Sequence, residues 1–567
     1  MKALLLIATC LPAWGAGAFT QPIADFAVIH PLPGHEGKPA PWLATGDLAD
    51  FFVWRGEGTR TFDADSLTLV SANGKENGLE ISLAGTQWEK SRTFDLADMR
   101  GFHGPRLKPL TAKSLVVNLS GQGTLKISLH LPDGAVAWQS PVKADDGTQT
   151  ITLPSTALQR VKSLRLTAES GSTIRIRTLA LEADASTAVP ADELFLRSLA
   201  KLRRLHDPAT GLLAARSEAP FGAWIAMPGT GMHALAVAAA STDGLISPGQ
   251  ARDEVKRTVT SMLAIPTAKG FLPHFAKRTD SGSIERSPKS EFSTIDTALA
   301  LQPLLAACRV LDLPEEGEAV RAAIRRIDWS EMHDEKGFIR HGYHGDGTII
   351  SGAYRGWGGE AALCVLLEGM TRGDAATGQV SRTGRPFRGR GFIAEIQSLF
   401  YPDFDRPEKD AISGVSWPTA RRSLMAEHAG YFPSTSRAAG AGLWGLSAGE
   451  VGPPGTPYAA NGSDDTGLRW LHPHYQVMAV CMLDRDKIPA MTRGFEKAGI
   501  WFPLGLPEGI DIDLNYHRPL CCSLNAGFEA LAAWHGMKGR GPDNPIDRAA
   551  LEEPMVRTAM QRFYPQP

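Results

Sequence analysis

Between residues 41 and 183 the chain alternates apolar and polar positions. Ser114-Leu-Val-Val-Asn-Leu-Ser, Thr124-Leu-Lys-Ile-Ser-Leu-His-Leu and Thr173-Ile-Arg-Ile-Arg-Thr-Leu-Ala-Leu carry the period of two expected of strands with one buried face. The pairs Asp133-Gly134 and Asp146-Gly147 supply turns between such runs. Short strands at this spacing predict an antiparallel β-sandwich at 41–183. Residues 19–40, rich in Pro and Gly, read as an extended lead-in, and Ala183 to Pro190 reads as a linker. From 191 to 567 the period becomes helical. Helices are expected near 192–205, 230–241, 247–264, 293–310, 315–327, 356–370, 390–400, 416–430, 469–483, 487–498, 522–535 and 547–563. Several are apolar all round and several are amphipathic, as in Gln250–Leu263. Buried and surface helices in alternation, joined by long aromatic loops, predict a double ring. The expected architecture is multidomain: a β-sandwich followed by an all-α (α/α)6 toroid with its cleft where the inner helices begin.

The chemistry gathers at those helix starts. In Ser290-Glu-Phe-Ser-Thr-Ile-Asp296, Ser293 and Asp296 have the spacing of a capping pair. The helix they open is apolar nearly all round, so Glu291 and Asp296 are expected at the mouth of a buried helix. Upstream, Gly270-Phe-Leu-Pro-His-Phe275 brings His274 and Phe275 into a turn. Arg355-Gly-Trp-Gly-Gly-Glu360 sets Trp357 beside Glu360, and Ala441-Gly-Leu-Trp-Gly-Leu-Ser-Ala-Gly-Glu450 sets Trp444 near Glu450. Glycine allows close approach of a ligand, tryptophan offers a face to a sugar ring, and paired carboxylates supply acid and base for glycosidic cleavage.

Composition narrows the classes. A net charge of −2 gives no footprint for nucleic acid and no polybasic membrane signal. Met1-Lys2, the short apolar run Ala3 to Pro12 and Ala16-Gly-Ala18 form a signal peptide over 1–18, too short to span a bilayer. The mature chain is therefore expected to be exported, to the periplasm or beyond. Its five cysteines, Cys308, Cys364, Cys481, Cys521 and Cys522, lie in apolar helical segments without CxxC spacing and read as buried small hydrophobes. His472-Pro-His474 lacks a carboxylate at fixed helical spacing, so neither metal nor other cofactor is expected. No P-loop or HExxH is present.

The chain resembles the glucoamylase-like family, which includes bacterial endo-β-1,2-glucanases and the transglycosylating domain of cyclic β-1,2-glucan synthases. The matching segments are Asp207-Pro-Ala-Thr-Gly-Leu, Gly229-Thr-Gly-Met-His-Ala-Leu-Ala, Gly270-Phe-Leu-Pro-His-Phe and Glu291-Phe-Ser-Thr-Ile-Asp-Thr-Ala-Leu. Gly356-Trp-Gly-Gly-Glu-Ala, Gly391-Phe-Ile-Ala-Glu-Ile-Gln-Ser-Leu-Phe and Trp444-Gly-Leu-Ser-Ala-Gly-Glu follow in order. Gly358-Gly359 stands where family members usually show Tyr-Asn. The resemblance implies an (α/α)6 barrel at 191–567 with acidic cleft residues Asp296, Glu360 and Glu450. It also implies sugar contacts from His274, Phe275, Glu291, Trp357, Gln397, Phe400 and Trp444. The expected activity is hydrolysis of an oligo- or polysaccharide β-glucan, most simply β-1,2-glucan. Glu360 is the expected proton donor, and Asp296 and Glu450 share the roles of base or nucleophile. A non-catalytic glycan-binding protein on the same fold, a transglycosylase and a glucanase of another linkage are the rival readings.

Overall fold

The computed structural model describes residues 18–25, 49–62, 66–83, 112–184 and 190–565, apart from 146, 158–159, 204, 217–223, 280, 452–457, 499, 502–504 and 515–520. The expected signal peptide falls outside the described residues but for its last position, Ala18.

Among the described residues, eleven strands precede the first α-helix. They are β1 (Ala18–Asp25), β2 (Ala49–Gly56), β3 (Gly58–Phe62), β4 (Leu67–Ser71), β5 (Asn77–Leu83), β6 (Ala112–Gln122), β7 (Thr124–His130), β8 (Val136–Lys143), β9 (Gly147–Thr152), β10 (Ser163–Ala168) and β11 (Thr173–Asp184). One antiparallel sheet runs β3-β4-β11-β6-β9, with β1 also on β11; the other runs β2-β5-β10-β7-β8. The alternation read from the sequence is what builds them. Leu115, Val117 and Leu119 of β6 meet Leu125, Ile127 and Leu129 of β7 in one buried cluster shared by both sheets. Residues 18–25 thus belong to a sheet rather than to a free lead-in, because β1 pairs along β11 from Asp184 to Thr178.

Fourteen α-helices follow among the described residues: α1 (Pro190–Arg203), α2 (Met227–Thr242), α3 (Pro248–Leu263), α4 (Thr294–Val310), α5 (Pro314–Arg325), α6 (Gly359–Arg372), α7 (Gly391–Glu395), α8 (Trp417–Ala429), α9 (Arg437–Gly440), α10 (Pro473–Leu483), α11 (Ile488–Lys497), α12 (Ser523–Lys538), α13 (Pro545–Glu552) and α14 (Pro554–Met560). Two expected helices come out differently. The segment at 390–400 holds only α7 before tightening into a 3₁₀ turn over Ile396–Leu399. The segment at 547–563 is cut in two at Glu553, whose ψ of 117° is the extended conformation that a following proline enforces.

The helices sort by surface. α2, α4, α10 and α12 are buried along almost their whole length, whereas α3, α5 and α11 bury one stripe. The buried ones succeed one another in space: α2 packs on α4, α4 on α6, α6 on α7, α7 on α10, α10 on α12, and α12 on α2. The N-termini of α4 and α6, with their carboxylates, open into one cavity.

Candidate active site

Asp296 stands in the first turn of α4, whose N-cap is Ser293. The Ser293 hydroxyl accepts from the Asp296 amide at 3.2 Å, as the sequence spacing predicts. That turn is pinned from both sides. The Leu272 amide donates to Thr297 Oγ1 at 2.9 Å, and the Ser293 amide donates to the Leu272 carbonyl at 3.0 Å. The same pairing of 272–275 with 290–293 brings His274 over the turn. Its Nδ1 lies 3.2 Å from Glu291 Oε1 and 3.8 Å from Asp296 Oδ2.

Glu360 stands in the first turn of α6. Gly358, the N-cap, has φ 132°, and a Cβ there would lie 2.8 Å from the Ile393 carbonyl oxygen. Only glycine fits the turn that aims Glu360 inward.

Asp296, Glu360, His274 and Glu291 line one cavity of about 510 Å³ together with His341, His344, Tyr354, Phe392, Tyr458 and Phe528. Its electrostatics separate the acids. Burial pushes the Glu360 carboxyl up to about 7; Arg390 opposes the shift and the nearby Asp296 charge adds to it. A carboxylate at a helix N-terminus is ordinarily favoured, so desolvation wins here over the helix dipole. Burial also raises Asp296, against the pull of His274 and of the Ser293 cap. Glu291 is held below its usual range by its hydrogen bond to His274. His274 is raised although burial acts against it, because Asp296 and Glu291 flank it. The arrangement sets the Glu360 carboxyl, raised to about 7, in the same cavity as Asp296, which sits beside His274 and Glu291. That is the pairing general acid and base chemistry requires.

Other expected site residues lie elsewhere. Glu450 is 5% exposed, is not part of the cavity lining, and pairs with Arg216 at 2.5 Å. Trp357 is 1% exposed and stacks on Trp417 with ring centroids 4.4 Å apart. The glycine turn that points Glu360 at the cavity points Trp357 into the core. Gln397 is buried, its amide nitrogen donating to the Ala394 carbonyl at 2.8 Å and to Ser398 Oγ at 3.0 Å. Phe400 is buried beside Tyr401, and Trp444 meets Tyr475 edge-on at 5.8 Å. Phe275 stacks directly on His274 at 3.8 Å, next to the cavity wall.

The sequence reasoning missed Tyr354, His341 and His344, which sit on the loop between α5 and α6. They carry no periodicity, and only their place just before Gly356-Trp-Gly-Gly could have flagged them. It also missed Glu508. Burial raises that carboxyl to about 7, against Lys201 and a hydrogen bond from Asn525, while Glu450 adds to the rise. Tyr458 lies between the two groups, its hydroxyl within electrostatic reach of Glu508, Glu450 and Glu360.

Among the described residues, two sets of three side chains bring ligand-type atoms within 4.8 Å of one another. His274, Glu291 and Asp296 could take a cation at the cavity wall. His206, His233 and Glu254 are a poorer fit. Arg203 already donates to both Glu254 oxygens at 2.8 and 2.9 Å, and the two imidazoles stack with planes 26° apart, so their in-plane lone pairs do not converge.

No family model matches the chain, and no curated protein sequence matches it. Solved structures do match. A β-1,2-glucanase from Parabacteroides distasonis superposes over 92% of this chain and 98% of its own with a TM-score of 0.57 at 12% identity. The fold is glucoamylase-like. An endo-β-1,2-glucanase from Chitinophaga pinensis, in complex with sophorotriose and glucose, covers 66% of this chain and 98% of its own, with a TM-score of 0.53 at 13% identity. A candidate glucoamylase from Bacteroides uniformis covers 66% and 97%, with a TM-score of 0.56 at 14% identity. The glucoamylase-like fold thus accounts for the helical region. The Parabacteroides enzyme's coverage extends the match into the strands ahead of it. Among the described residues no helix is long and apolar enough to cross a membrane, and no disulfide joins the five cysteines expected in the mature chain.

Proposed function

We propose that this chain is a glycoside hydrolase that cleaves a β-glucan, β-1,2-linked in the first instance, with Glu360 as the proton donor. One observation carries the reading: two buried carboxyl groups from different helix N-termini, Glu360 and Asp296, face a single cavity that keeps one of them protonated near neutrality. Glu360 gives its proton to the glycosidic oxygen as the bond to the anomeric carbon breaks. Asp296, held beside His274, receives the proton of the water that attacks the anomeric carbon. Glu450, tied to Arg216, supports the cavity from the Tyr458 side. The linkage draws support from the two β-1,2-glucanases sharing the fold, and the glycan class from those and from the candidate glucoamylase. In this reading the succession α2-α4-α6-α7-α10-α12 is the inner ring of an (α/α)6 toroid. The N-terminal sheets form a separate domain, and the chain works after export.

The test is incubation of the purified protein with linear β-1,2-, β-1,3- and β-1,4-glucans and with starch, followed by chromatography of the products. Release of short β-1,2-linked oligosaccharides by wild type and not by Glu360→Gln is the expected result. Products from starch alone would move the protein to the glucoamylase side of the fold, and no product from any polymer would remove the hydrolase reading.

A further inference from the structure

The tryptophans that the sequence puts beside carboxylates are turned into the protein, yet another tryptophan stands open beside the cavity. Trp224 exposes 45% of its surface, while the other eight tryptophans whose side chains are described are buried or half-buried. Its position is fixed. The Ala215 amide donates to the Trp224 carbonyl at 2.8 Å, and the next residue, Ile225, pairs with Ala276. The Trp224 ring rests on Phe275, centroids 5.6 Å apart and tilted by 33°; Phe275 in turn stacks on His274 at 3.8 Å. His274 lines the cavity 3.8 Å from Asp296 Oδ2. Three rings therefore step outward from the acids to the surface, each step on the scale of one sugar ring. The Arg216 guanidinium also lies 5.5 Å from the Trp224 centroid, anchored by Glu450.

We propose that Trp224, propped by Phe275 and flanked by Arg216, is the stacking platform of a sugar subsite outside the carboxylate cavity. It holds the part of a glycan chain that extends past His274. The physical case is that a flat indole of this size costs apolar exposure unless something covers it, and the axial C–H face of a pyranose is a good cover. Arg216, held in place by Glu450, supplies hydrogen-bond donors for the hydroxyl groups at the rim of such a ring. Glu450 then acts at a distance from the bond being cut, by setting the position of Arg216. The inference rests on the glycosidase reading above and deepens it: a platform beyond the cavity makes long chains better substrates than short ones.

The experiment compares wild type, Trp224→Ala and Trp224→Phe on linear β-1,2-gluco-oligosaccharides from the disaccharide to the polymer. Loss of the platform is expected to raise KM for the polymer and the long oligomers about tenfold while kcat is held, an effect on the scale of one stacked ring. Kinetics on the shortest oligomer that is cut should be unchanged, and Trp224→Phe should restore most of the loss. An unchanged KM at every length overturns the proposal, as does a KM that rises equally for the shortest substrate, which would mean a disturbed cavity. If wild type cuts none of these glucans, the β-1,2-glucanase reading itself falls and takes this inference with it. Cutting by wild type with no length dependence in Trp224→Ala removes the inference alone.

Discussion

Replacing Glu360 by Gln tests the site through stability as well as through rate. The isosteric amide keeps the shape of the side chain and removes its titration. Glu360 sits at about 7 in the folded chain because of burial, to which the charge of Asp296 adds, against the ordinary 4.5 when unfolded. Its protonation therefore favours the folded state. The stability it contributes is complete below the unfolded value, is lost as pH rises toward 7, and stays lost above. A shift of this size is worth about 3 kcal/mol. Urea unfolding of wild type and Glu360→Gln should accordingly give similar stabilities near pH 4, with the variant ahead by up to about 3 kcal/mol at pH 8. Over the same range wild-type kcat/KM should fall on the alkaline side of about 7 as the donor loses its proton. The variant should be slower by roughly 10²–10⁴-fold at every pH. Equal pH dependence of unfolding in the two proteins would refute the claim that Glu360 is buried and protonated. Wild-type turnover in the variant would refute its role as donor.

His274→Gln removes the imidazolium that opposes the burial-driven rise of Asp296, so the acid limb of the pH–rate profile should move to higher pH; an unmoved limb would disconnect the two residues. Trp357→Ala should cost about 3–5 kcal/mol in chemical denaturation, because it opens a hole against Trp417, while leaving KM for a folded variant near wild type. Expression of residues 191–567 alone should give a soluble, cooperatively unfolding protein, since the sheets and the helices have separate apolar clusters; an insoluble product would show that they form one unit.

Period and spacing made much of this protein legible. Strands β6, β7 and β11 and most of the helices follow from apolar alternation at two and at 3.6, and the Ser293 cap from its spacing to Asp296. The resemblance placed Glu360 and His274 in one neighbourhood, and the cavity contains both. Orientation is what the sequence hid. Trp357 and Glu360 share a glycine turn, and only the backbone angle at Gly358 decides which of them faces inward. Glu450 was legible as a buried acid near a tryptophan, but its ion pair with Arg216, more than two hundred positions earlier, was not. Tyr354, His341 and Glu508 come from irregular loops, where no period exists to be read.

The way α12 packs against α1 and α2 has a consequence for how the chain acquires its structure. Those partners are separated by most of the helical region, so their meeting closes a very long loop and comes late. Until then α2, α4 and α10, apolar on every side, have no polar face to turn toward water. A chain interrupted anywhere before residue 538 would present those helices to its surroundings as sticky, half-made surfaces. Completion of α12 is thus the step that covers those apolar faces.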